Sequence, residues 1–136
     1  MRHIAKFISL ATILALSSPT FAQTPAETLA RLKQAAAESP GFQGFSATRG
    51  EQFFKSTHGN DWSCSTCHTD NPAAIGKHTR TGKAIQPMAP TVNAERFTDQ
   101  AKIDKWFKRN CNDVLDRACT ALEKGDVLTY LLTINK

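Results

Sequence analysis

Cys64, Cys67 and His68, in the run Ser63-Cys64-Ser65-Thr66-Cys67-His68, are the residues of this chain best placed to do chemistry. Thiols at this spacing fall about one helical turn apart, so both sulfurs address one side while the next side chain swings round the helix. C-x-x-C-H is the attachment signature of c-type haem: the thiols add to the two vinyl groups and the imidazole takes the iron. Two other chemistries share part of the pattern, a dithiol redox pair and half of a zinc site. The first wants a βαβ pattern around its thiols, which is missing here. The second wants a compact second ligand pair, which Cys111 and Cys119 supply poorly. One covalent haem c is therefore the expected cofactor.

The elements that would position this motif have to come from a short chain. With 136 residues, a formal charge of +5 and a pI near 9.2, there is room for one domain. Residues 1–22 read as a secretory signal peptide: Arg2, His3 and Lys6 form a positive end, Phe7 to Leu16 an apolar run, and Thr20-Phe21-Ala22 a cleavage site. That run is short of the ~20 residues that span a bilayer. The expectation is export to the periplasm, cleavage near Ala22 and no membrane span afterwards, leaving residues 23–136 as a monohaem domain. Cleavage would remove Arg2 and Lys6 and no acid, lowering the charge from +5 to +3. No dense basic stripe interleaves with aromatics, so nucleic acid is not an expected partner. In an oxidising compartment cysteines are usually committed. With Cys64 and Cys67 on haem, Cys111 and Cys119 remain as a disulfide pair.

Thr24-Pro25-Ala26-Glu27 is a capping box with proline at the first helical position, predicting a helix to about Glu38 with Leu29, Leu32 and Ala36 inward. A second helix is expected from Ser46 to the break at His58-Gly59-Asn60, carrying Gly50, Phe53 and Phe54. Thr69 to Phe97 shows no periodicity and is punctuated by Pro72, Gly76, Gly82, Pro87 and Pro90, which predicts a long loop. Loops of that length usually wrap something, and haem suits. Arg80 and Lys83 in this loop are candidate partners for haem propionates, with a solvated-charge reading beside them. A third helix is expected from Asp99 to Arg109, with Ile103, Trp106 and Phe107 inward and its lysines toward the cation-favouring end. Thr120-Ala121-Leu122-Glu123 caps a last helix to about Ile134. The expected class is all-α, about four helices.

Function turns on the residue across the iron from His68, since a saturated iron passes electrons and an open one binds gases. Met88, His58 and His78 are candidates. Met88 lies between Pro87 and Pro90 in an extended presentation, though a core-filling role is the simpler one, and it follows His68 by only 20 residues. His78 sits in a polar segment, and His58 has a short tether. Asn110, beside Cys111 and 42 residues past His68, is the fourth candidate.

The order of parts, with Gly50 and Phe54 before the motif, an irregular wrap, and Tyr130 and Leu131 on a terminal helix, resembles the class I cytochrome c fold. That resemblance implies a close crossing of Gly50 on Tyr130. Arg80-Thr81-Gly82-Lys83, Arg96-Phe97-Thr98-Asp99, Arg109-Asn110-Cys111-Asn112, Cys119 and Glu123-Lys124 look like the sphaeroides haem protein family of high-spin cytochromes c. This likeness implies that Asn110, beside a disulfide cysteine, ligates ferric iron and leaves on reduction, admitting oxygen or nitric oxide. Met88 departs from the family pattern, which has an aliphatic residue there, and keeps methionine ligation open. The implied partners are a redox cytochrome or membrane electron donor and a small diatomic ligand. Enzymatic turnover of a small nitrogen or oxygen species ranks last, because no acid-base set accompanies the motif.

Overall fold

A computed structural model describes residues 23–135. The proposed leader, residues 1–22, lies outside the described residues. Five helices follow in order: α1 (Pro25–Ala37), α2 (Ala47–Lys55), α3 (Cys64–His68), α4 (Gln100–Leu115) and α5 (Ala121–Thr133). The wrap between α3 and α4 carries two short strands, β1 (Gly76–Lys77) and β2 (Ala84–Ile85), paired antiparallel with Gly76 opposite Ile85. No helix among the described residues is long and apolar enough to cross a membrane.

Local chemistry starts α1, α2 and α5 where the sequence predicts. Thr24 and Glu27 bond reciprocally ahead of α1, Ser46 accepts from the Arg49 amide ahead of α2, and Thr120 with Glu123 repeats the box ahead of α5. Such caps satisfy N–H groups that a helix start leaves without partners. Thr120→Ala is expected to lower stability by about 1 kcal/mol, read as a shifted urea midpoint with an unchanged haem spectrum.

The core is the crossing of α2 on α5, with α1 against the same terminal helix. Gly50 makes it possible: a Cβ there would strike the Asp126 carbonyl and lie 3.0 Å from the Tyr130 Cβ. The expected Gly50–Tyr130 approach is thus present. Phe54, Val127, Tyr130 and Leu131 form the buried cluster beneath it. Asp126, 4% exposed, is not an orphan charge in this core. It accepts from Arg49 Nε at 2.7 Å, from Arg49 Nη2 at 2.9 Å and from the Ser46 amide at 2.7 Å, tying the start of α2 to α5. Buried carboxylates need such saturation.

Four expectations are corrected. The third helix does not stop at Arg109 but runs to Leu115, where Asp116 caps it in the left-handed region (φ 56°, ψ 21°). Trp106 is not inward; it is 45% exposed. On α1 the deepest side chains are Thr28 and Ala36, while Leu29 and Leu32 are half-buried. Thr28 is buried because its hydroxyl donates to the Phe97 carbonyl at 3.1 Å, fastening α1 to the segment that enters α4. Finally, the wrap holds the small β1–β2 pair, closed by a turn through Thr79 to Thr81 in which the Gly82 amide donates to the His78 carbonyl at 2.8 Å.

Candidate functional site

Ser63 and Thr66 build α3. The Ser63 amide donates to Thr66 Oγ1 at 2.9 Å and the Thr66 amide donates to Ser63 Oγ at 3.1 Å, a capping box around a single helical turn. A turn this short has little stability of its own, so the box and its neighbours must hold it. Cys64 packs against the Phe54 cluster, and the Cys67 sulfur lies 3.7 Å from Thr79 Oγ1. Both thiols are free rather than joined. Burial pushes the Cys64 thiol up to about 11, which keeps it protonated at neutral pH. A thiol-exchange nucleophile needs the opposite shift.

His68 closes the turn with its ring 6.3 Å from that of Phe54. Burial, with the Arg96 charge added, lowers its imidazole to about 4. It is neutral at physiological pH and keeps the lone pair that a metal requires. Thr69 then turns the chain away at φ 63°, ψ 164°, a conformation nearly reserved for glycine. Its hydroxyl holds that turn, donating to the Asn71 carbonyl at 2.7 Å and accepting from the Asn71 amide at 3.2 Å. Gly76 brings the wrap back behind the motif, where a Cβ would meet the Cys67 carbonyl.

The other candidates are spread around this turn. The Pro72 carbonyl accepts from the amides of Met88 (2.8 Å) and Ala89 (3.1 Å), and the Met88 side chain packs on the cluster containing Phe54. His58 is committed locally, with Nε2 at 2.9 Å from the Phe53 carbonyl and its ring on Phe53. His78 Nδ1 accepts from the amides of Arg80 and Thr81, both at 3.3 Å, inside the hairpin turn. The Arg80 guanidinium lies 4.6 Å over the Trp62 ring, beside a cavity of about 310 Å³ that Asp113 and Asp116 also line. Lys83 is exposed on the same hairpin.

Arg96 stands in the run Arg96-Phe97-Thr98-Asp99 that carries the family likeness, but no role at the site was read for it. Half-buried, it donates from Nε to the Pro87 carbonyl at 2.8 Å and from Nη2 to the Gln86 carbonyl at 2.5 Å, fixing the segment that leads into Met88. Burial lowers its pKa, and among the described residues no carboxylate pairs with it. A cation among prolines in an aperiodic stretch was the available signal.

Asn110 lies within α4 rather than at its end. It is half-buried, on the flank of the stripe formed by Ile103, Cys111 and Val114, and among the described residues its amide has no hydrogen-bond partner. Cys111 next to it is bonded to Cys119, with Cα atoms 5.6 Å apart. Arg117 closes the intervening turn with a two-pronged bond to Glu123 (2.9 and 2.7 Å), which holds that carboxyl below its usual range.

The site fits haem c: two free thiols stand three residues apart on one helical turn, the adjacent imidazole is neutral, and the Phe54 ring beside it belongs to an apolar cluster on which half-buried Met88, Phe97 and Ile134 also pack. A family model described as a domain of unknown function (DUF1924) matches residues 40–131. The chain is 39% identical over 132 residues to cytochrome c-type protein SHP of Cereibacter sphaeroides, covering 94% of this chain and 98% of that protein. It is 43% identical over 102 residues to cytochrome c″ of Methylophilus methylotrophus, covering 72% of this chain and 71% of that protein. The structure of oxidised SHP, described as an oxygen-binding cytochrome c, superposes with a TM-score of 0.72 at 41% identity, covering 81% of this chain and 96% of that one. The solution structure of M. methylotrophus cytochrome c″, concerned with haem-ligand detachment, gives 0.69 at 38% identity over 82% and 94%.

Fold and motif together therefore define a small all-α c-type cytochrome whose cofactor is haem c. The chain belongs to the DUF1924 family of sphaeroides haem protein and cytochrome c″.

Proposed function

We propose that this chain, exported and cleaved near Ala22, is an electron-transfer cytochrome whose distal ligand gives way on reduction and admits oxygen or nitric oxide. The observation that carries the reading is the half-buried Asn110 side chain, engaged by no other described residue, beside the Cys111–Cys119 bond. When bound, the haem supplies a one-electron iron centre and an axial position for a small ligand.

The chain's own residues do the rest. Cys64 and Cys67 would hold the macrocycle, and His68 would supply a nitrogen to the iron from a ring that burial keeps neutral. Asn110 would offer a neutral oxygen donor, which suits ferric iron better than the softer ferrous ion, so it would be held weakly and given up more readily by reduced iron. Arg96, rather than Arg80 or Lys83, is the better partner for a propionate, because Arg80 is engaged with Trp62 while Arg96 is half-buried and lacks a carboxylate. The Met88 side chain packs against the Phe54 cluster, which supports a packing role. The likeness to an SHP described as oxygen-binding, and to a cytochrome c″ studied for haem-ligand detachment, points the same way.

The test is the absorption spectrum of the reduced protein with and without carbon monoxide. A clear shift of the reduced spectrum is expected, and Asn110→Leu should alter the ferric spectrum while Met88→Leu leaves it unchanged. No response to carbon monoxide, with loss of a low-spin signal in Met88→Leu, would make this a His/Met electron carrier. Turnover of hydroxylamine or peroxide far above free haem would make it an enzyme.

A further inference from the structure

Trp106 is 45% exposed on α4, with the Lys105 ammonium 5.5 Å and the Arg109 guanidinium 5.7 Å from its ring centroid. Lys102, Lys105, Trp106 and Arg109 recur at the three- and four-residue spacing that lines one helix face. The buried residues of the same helix, Ile103, Cys111 and Val114, lie on another.

Charge is concentrated here. Residues 102–109 hold four cations and one acid, whereas the other described residues hold ten cations and eleven acids. The excess is not consumed internally. Among the described residues Lys105, Lys108 and Arg109 form no ion pair, and Lys102 reaches only exposed Asp99 at 3.5 Å. Asp104, the single acid, takes the Gln100 amide at 2.6 Å, and the face ends one turn further on at Asp113. A helix that stopped at Arg109 would explain these cations as complements to its C-terminal dipole. Because α4 continues to Leu115 with no basic residue in its last turn, that explanation fails.

We propose that this face of α4 is the docking surface for a redox partner presenting a carboxylate-rich surface. The proposal rests on the electron-transfer reading above. An exposed tryptophan within a ring of cations has the composition of an interface centre: the aromatic contributes contact area and the charges steer approach. The location also suits the function, since Trp106 and Asn110 are neighbours one helical turn apart, so a partner seated here stands beside the labile ligand. The patch is too short and carries too few aromatics to track a nucleic-acid backbone.

The test uses the haem-loaded, ¹⁵N-labelled protein and oxidised flavodoxin, an acidic flavoprotein, as the probe. At low ionic strength the Trp106 indole N–H and the α4 amides should shift saturably while the Trp62 indole, under Arg80, does not. The shifts should vanish at about 0.5 M salt, where the Debye length is only a few ångströms. The K105E/R109E variant should bind at least about tenfold more weakly, and R31E/K33E on α1 less than about twofold. Equal loss from the α1 control, shifts centred elsewhere, or stronger perturbation by a DNA oligomer or phosphatidylglycerol vesicles would overturn the proposal. The carbon monoxide response, measured separately, reports on the gas-binding reading, so the two fail independently.

Discussion

Gly50→Leu is expected to be the most damaging single substitution outside the haem motif, removing on the order of 4 kcal/mol from a domain whose total stability is ordinarily 5–15 kcal/mol. Ordinary overpacking costs about 1–3 kcal/mol because neighbouring side chains rotate aside. Here the atoms in the way are the backbone carbonyl of Asp126 and the Tyr130 Cβ, and neither can rotate. The added side chain can be housed only by separating α2 from α5, the broadest helix contact among the described residues. Separation would pull Phe54 from Val127, Tyr130 and Leu131 and break the fork from Arg49 to Asp126. The Phe54 ring that flanks His68 would move with it. Urea unfolding of the haem-loaded variant checks this, with Gly50→Ala falling between the variant and the parent. A Gly50→Leu protein within about 1 kcal/mol of the parent would mean that the crossing is softer than its geometry implies.

The helices of that crossing were readable in advance because their starts leave a local trace, whereas the crossing itself was implied by a resemblance. Capping residues are short-range chemistry, so Thr24, Ser46 and Thr120 announced three helix starts, and the likeness to the class I cytochrome c fold implied that Gly50 would meet Tyr130. The continuation of α4 was hidden for the complementary reason. Asn110, Cys111, Asn112 and Asp113 are indifferent helix formers, and what extends the helix through them is tertiary: Cys111 is drawn onto Cys119 and Val114 is buried. The strand pair of Gly76–Lys77 with Ala84–Ile85 is too short to show any alternation. Trp106 satisfied the inward spacing with Ile103 and Phe107, and only the packed structure shows it turned out among cations.

The site divides along the same line. Cys64, Cys67 and His68 are contiguous, and adjacency is what sequence displays. Arg96 acts through carbonyls nine and ten residues upstream, and its burial depends on how the wrap closes over it, so its place in an aperiodic, proline-punctuated stretch was the one local sign. Arg80 and Lys83 carry the charge a propionate needs, and the hairpin places the Arg80 guanidinium over Trp62 and leaves Lys83 exposed. Asn110 was distinguished by its neighbour Cys111, and the structure adds an amide left without a partner among the described residues.

Converting Cys111 and Cys119 to serine together is the second large expected effect, and it separates stability from ligation. The bridge closes a loop between residues eight apart, and on the chain-entropy view its removal costs about 2.5 kcal/mol. For a domain near a hundred residues that is a fall in Tm of roughly 10 °C or more. The structural consequence should be local, because α4 has no broad contact with any other described helix. Besides the bridge, its attachments include the Asn60 amide on the Val114 carbonyl at 2.9 Å and the contact of Phe97 with Phe107 at 6.4 Å. Neither fixes the rotation of α4 about its own axis, whereas a covalent bond at Cys111 does. Since Asn110 is the adjacent residue, that rotation decides where its amide points. The double variant should therefore unfold at lower temperature and also show a mixed ferric spectrum, while still responding to carbon monoxide when reduced, the state in which the proposed amide ligand would have left. Loss of stability with the ferric spectrum intact would confine the bridge to a structural role. A carbon monoxide response lost along with the bridge would place the ligand-binding position under control of more of α4 than Asn110.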